Sequence, residues 1–115
     1  MQLGKAYYNQ EIKNVLDSFL LKISIITPGK MFGYPGYYVN KKLFACVYED
    51  GVGLKVPFEL ANDLIGKEGF IYFIPMGRKK MKEWIQINRK QAEDYLNDRA
   101  IFEKSIEFVA SLGNK

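Results

Sequence analysis

The sequence predicts an α+β fold: a mostly antiparallel sheet of about five to six strands with flanking helices. Two observations carry this reading. Short apolar runs follow one another with hairpin-type turn residues between them, and an amphipathic stretch stands towards each end of the chain. Consecutive hairpins imply antiparallel neighbours, and helices outside the run of strands gather on one face or end of the sheet.

Taken in order, Tyr8, Ile12, Val15, Leu16, Phe19 and Leu20 recur at helical spacing with Glu11, Lys13, Asn14 and Asp17 opposite. This predicts a helix over about residues 5 to 20. "KISIIT" reads as a strand ended by Pro28-Gly29. "GYYVN", "KLFACVYE" and "VGLKV" follow as strands, the last two joined by Glu49-Asp50-Gly51, an Asp-Gly hairpin signal; Asn40-Lys41 is a weaker one. In "VGLKV", Val52, Leu54 and Val56 share a face while Gly53 and Lys55 share the other, which predicts a wet face. "LFACVY" is apolar on both faces, as a central covered strand would be.

Pro57 suits the first turn of a short helix carrying Phe58, Ala61, Leu64 and Ile65, with Gly66 at its end. "FIYFIP" and "EWIQI" read as two further strands separated by the charged loop "MGRKKMK". Asn88 offers a cap with Gln91 in a capping-box position, and Asn97-Asp98 mark a break and a fresh cap. The apolar stripe of Ile101, Phe102, Ser105, Ile106, Val109 and Leu112 then predicts a last helix ending at Gly113.

Composition bounds the function. At 115 residues the chain reads as one domain, 1–115, with 48% apolar residues, ordinary for a globular protein. "VLDSFLLKISII" is too short and too charged to span a bilayer, and no signal segment precedes it, so the expectation is a cytoplasmic protein starting at its own Met1. The single cysteine, Cys46, excludes an internal disulfide and fits a reducing compartment. A net charge of +4 and a pI near 9.1 permit an anionic partner without requiring one.

The chain has no histidine, which removes Ser-His-Asp and Cys-His nucleophile arrangements and zinc sites of the usual Cys/His type. The acids show no spacing suited to a Mg²⁺ or Ca²⁺ loop, and no cofactor is expected.

Several local clusters offer chemistry. Gly29-Lys30 lacks the upstream glycine and the following hydroxyl of a phosphate loop, and Gly33-Tyr34-Pro35-Gly36 leads into a strand, so turn geometry accounts for these glycines. Arg78, Lys79, Lys80 and Lys82 run into Trp84, and cations interleaved with an aromatic are how single-stranded nucleic acid is held; a solvated, charged hairpin tip is the simpler account. The candidate binding residues are therefore Lys30, Tyr34, Arg78, Lys79, Lys80, Lys82 and Trp84, with no catalytic or metal-ligating residue among them.

Tyr34, Tyr37, Tyr38 and Tyr48 read as half-buried sheet residues, and Cys46 as a buried, inert thiol. Glu103 and Glu107 read as a solvated helix face. The width of the last apolar stripe, together with Phe19 and Leu20, leaves room for a second copy of the chain, so a homodimer is one expectation.

Met31-Phe32-Gly33, the strand Gly36-Tyr37-Tyr38-Val39, Lys42-Leu43-Phe44-Ala45 and Leu54-Lys55-Val56 occur in an order and spacing that resemble the TfoX (Sxy) N-terminal domain family. The Pro75-to-Gly77 turn, the basic loop and the strand at Trp84 continue the match, over roughly residues 12 to 112. Tyr34-Pro35 stands where many members carry a second glycine after the first, and the C-terminal helical domain of the full-length regulators has no counterpart. The resemblance implies a bacterial regulatory domain without catalytic residues, acting through a protein partner. The functional expectation is thus a small non-enzymatic binding domain; the alternatives are a nucleic-acid or anion binder using the basic loop, and a small-molecule enzyme.

Overall fold

The computed structural model describes residues 7–77 and 79–112. Asn9 starts the first helix, α1 (Gln10–Leu20), because its Oδ1 accepts hydrogen bonds from the Glu11 and Ile12 amides at 2.9 and 3.2 Å. The helix therefore begins later than the apolar spacing predicts. Tyr8 forms a bridge with Glu49, and the Asn9 amide donates to the Glu49 carbonyl, which holds this stretch extended; residues 5 and 6 lie outside the described residues.

Six strands follow in the expected number: β1 (Ile26–Met31), β2 (Tyr34–Val39), β3 (Lys42–Tyr48), β4 (Gly51–Lys55), β5 (Phe70–Tyr72) and β6 (Trp84–Ile87). A short helix, α2 (Phe58–Leu64), separates β4 from β5, and α3 (Arg99–Leu112) closes the chain. The sheet order is β1-β2-β3-β4-β6-β5, every pairing antiparallel.

Three boundaries correct the sequence reading. β1 does not stop at Pro28-Gly29 but runs through both residues, with Pro28 opposite Tyr37. A strand at the sheet edge has an outer row of amides that need no partner, so it accepts proline where a central strand would not. The β3–β4 turn takes its positive φ at Glu49 (53°) and not at the Asp-Gly pair. Gly51 is instead the first residue of β4, where a Cβ would collide with Asn88 and Gln86. Finally, Asn88 caps no helix: its amide donates to the Gly69 carbonyl at 2.8 Å. The capping box forms one turn later, from Gln91 and Asp94, and opens a 3₁₀ stretch, Ala92–Asp98.

The helices lie on one face of the sheet. Tyr37, Val39, Val47, Val52, Leu54, Ile85 and Ile87 of the strands meet Ile12, Leu16 and Leu20 of α1 and Phe102 and Val109 of α3, all buried. Each such apolar side chain contributes about 1.5–3 kcal/mol by leaving water. The strip considered for a second copy is largely packed here: Leu20, Phe102, Ile106 and Val109 are buried, and Phe19 stands edge-on to Phe102 at 5.3 Å. Glu103 and Glu107 are exposed, as expected, and Gly113 lies outside the described residues.

Two polar links pin this face. The Tyr37 hydroxyl donates to Asp17 at 2.6 Å while Lys13 pairs with the same carboxylate at 2.7 Å. Asp98, expected as a cap, instead accepts Arg89 through both oxygens at 3.0 and 2.8 Å, joining the exit of β6 to the start of α3.

Among the described residues no helix is long and apolar enough to cross a membrane, and no group of three or more Cys, Asp or Glu could hold a metal ion.

Candidate functional site

What the helices leave uncovered is the other sheet face, and a β-bulge decides which side chains it carries. Tyr37 pairs with Ala45 but Tyr38 pairs with Leu43, so Phe44 is an extra residue in β3. Strict alternation would send Phe44 outward with Cys46; the bulge turns Phe44 into the helical core beside Ala45 and places Leu43 on the open face.

An aromatic row crosses that face. Tyr34 lies against Tyr48 with ring centroids 4.8 Å apart, Tyr48 meets Phe73 edge-on at 5.4 Å, and Phe73 meets Trp84 at 5.6 Å. Phe73 reaches over β4 because residue 53 is glycine: a Cβ there would stand 2.8 Å from the Phe73 ring and 3.0 Å from the Cys46 sulfur. The face of β4 expected to be wet is therefore roofed by an aromatic, apart from Lys55. Cys46 is buried in this second cluster, and burial pushes its thiol up to about 12, which withholds the thiolate that a nucleophile needs. Burial likewise raises the Tyr34 phenol above its ordinary value.

The row ends in a pocket of about 420 Å³. Met31, Phe32, Leu43, Phe73, Pro75, Lys79, Met81 and Trp84 line it, Phe73 and Pro75 buried, Phe32 and Lys79 exposed at its rim. Among the described residues Lys79 is the only ionisable one in this lining. Phe32 stands at the tip of the β1–β2 hairpin, 66% exposed and with φ at 51°. It and Gly33 (φ 89°) form a two-residue turn in which both φ values are positive, the arrangement that favours Asn-Gly. A bulky aromatic in the left-handed region is a genuine outlier, costing roughly 1–2 kcal/mol. Two thirds of its surface stays exposed, so burial offsets only part of that cost.

On the far side of Trp84 lies a second, more open groove of about 480 Å³ lined by Lys55, Phe58, Met81, Lys82, Glu83 and Trp84. Trp84 and Met81 belong to both hollows and form the ridge between them. Lys55 bonds Glu83 at 3.3 Å and stands 5.8 Å from the Trp84 ring centre.

The expected binding residues are thus only partly brought together. Lys79 and Trp84 share the pocket, Lys82 lies across the ridge, and Tyr34 lies under the same face as part of the aromatic row. Lys80 sits 4.3 Å over the Tyr72 ring. Lys30 pairs with Pro35, one residue out of phase with the Met31–Tyr34 pair, and so belongs to the opposite face. Arg78 lies outside the described residues. Met31, Phe32, Leu43, Phe73, Pro75 and Met81 are not among the binding residues expected from the sequence, where nothing local marks them as a site.

Comparison of the chain with protein-family models, with curated proteins and with solved structures finds no match. The resemblance to the TfoX family accordingly rests on the residues that suggested it.

Proposed function

We propose that the protein is a small cytoplasmic binding domain, non-enzymatic, whose working surface is the open sheet face, and that it engages a partner protein there. The observation that carries this reading is the apolar pocket between Phe32 and Trp84, with one lysine at its rim. Concave apolar ground with a single polar group suits holding a side chain; among the described residues its lining offers no acid–base pair and no activated nucleophile. Two methionines, Met31 and Met81, line it, and their flexible thioethers adapt to a partner's shape. The resemblance to the TfoX N-terminal domain supports a regulatory role for such an encounter. The nucleic-acid alternative has less support, because the hollow that Lys79 borders is otherwise apolar and Lys80 stands 4.3 Å over the Tyr72 ring.

The reading is tested by affinity capture from the native host with the wild type and two variants, Phe32→Asp and Met81→Glu. Both positions are exposed, so both variants should fold, which circular dichroism checks. The expected result is a protein captured by the wild type and lost by both variants. Capture of the same set by all three, or of nothing by the wild type, would overturn the proposal.

A further inference from the structure

We infer that the partner segment is acidic and amphipathic, seating one apolar anchor on each side of the Trp84–Met81 ridge. This rests on the reading of the open face as a protein-binding surface and names the chemistry of what it binds.

The two hollows share Trp84 and Met81 and therefore adjoin, so one extended segment can reach both. Phe32, 66% exposed, borders the first hollow, and Phe58, 44% exposed and at the first position of α2, borders the second. Two recesses separated by a ridge call for two apolar anchors on one face of the incoming segment, several residues apart, as in groove recognition of amphipathic helices.

Charge then selects among such segments. The linings carry Lys79 in the first hollow and Lys55 and Lys82 in the second, against one acid, Glu83, which is already bonded to Lys55. Lys79 and Lys82 are exposed and enter no ion pair among the described residues. A segment with carboxylates flanking its anchors meets complementary charge; a basic one meets repulsion, and the chain's net charge of +4 extends that bias.

Trp84 is the chain's single tryptophan and supplies the readout. The probe is a tryptophan-free peptide of about two heptads with Leu and Phe at i, i+3, i+4 and i+7 and Glu elsewhere; its counterpart carries Lys for every Glu. The expected result is a saturable change in Trp84 fluorescence, with the Glu peptide binding at least about tenfold more tightly at low salt and the gap closing as salt rises. The Lys79→Glu/Lys82→Glu double variant should reverse the order while leaving the circular dichroism unchanged.

Equal binding of the two peptides, or preference for the Lys peptide, would overturn the inference. So would silence with both peptides; if host capture still depends on Phe32 and Met81, the protein-binding reading survives that failure. A fluorescence change driven by single-stranded oligonucleotide with the peptides silent would overturn both, and one driven by protein concentration alone would make the occupant a second copy of the chain.

Discussion

Phe32 sits with φ at 51° at a position where the backbone favours another residue. Hairpin turns with two positive φ values favour asparagine first because its short polar side chain tolerates the left-handed region. Phe32→Asn should therefore raise stability by about 0.5–1 kcal/mol while weakening whatever the pocket holds. Thermal unfolding checks the first half and the capture experiment the second; a variant that unfolds at a lower temperature would show that the ring stabilises the folded chain. At this scale the sequence was legible where chemistry agrees with position: Cys46, set in an apolar run, is buried as expected. It was illegible where position overrides propensity. Among the described residues the non-glycine positions with positive φ are Phe32, Asn40, Lys41 and Glu49, and of these only Asn40 is a usual choice. Nothing local announces that a phenylalanine occupies an asparagine's place.

Among the elements, number and order could be read because apolar alternation and turn residues are local signals, whereas edges, bulges and register depend on neighbours distant in sequence. Pro28 ends a strand by propensity and sits inside one because β1 is an edge. Leu43 reaches the pocket only through the bulge at Phe44, which no spacing in β3 alone reveals. The junction of β6 with α3 is a similar case. Arg89 and Asp98 are nine residues apart, and nothing in their spacing predicts a two-pronged pair with the Asp98 side chain 7% exposed. Arg89→Ala would leave that carboxylate buried without a partner, and should destabilise the fold by about 3 kcal/mol, the low end for a broken buried pair because Arg89 is itself partly exposed. Denaturant unfolding of Arg89→Ala, Asp98→Asn and the double variant checks this. A coupling below about 0.5 kcal/mol between the two sites would mean that the pair does not hold the junction.

For the molecule as a whole, the way the sheet is covered sets its response to alkali. Burial holds the Cys46 thiol and the Tyr95 phenol protonated to about 12, and burial with the Asp17 hydrogen bond raises the Tyr37 phenol further. In the unfolded chain the thiol ionises at about 9 and the phenols at about 10. Above those values the unfolded chain has released protons that the folded chain still holds, so stability falls as pH rises; below about pH 9 the contribution is complete and constant. Each such group removes on the order of 1.4 kcal/mol per unit of pH above its unfolded value, which together comes to about 5–6 kcal/mol by about pH 11, comparable to the whole stability of a small domain. With no histidine in the chain, no imidazole adds a transition at neutral pH. A titration followed jointly by circular dichroism and phenolate absorbance should show part of the tyrosine signal appearing only as the structure is lost. Ionisation of all eight tyrosines at an ordinary midpoint with the dichroism intact would mean that water reaches Tyr37 and Tyr95, and that the helical face does not close over the sheet.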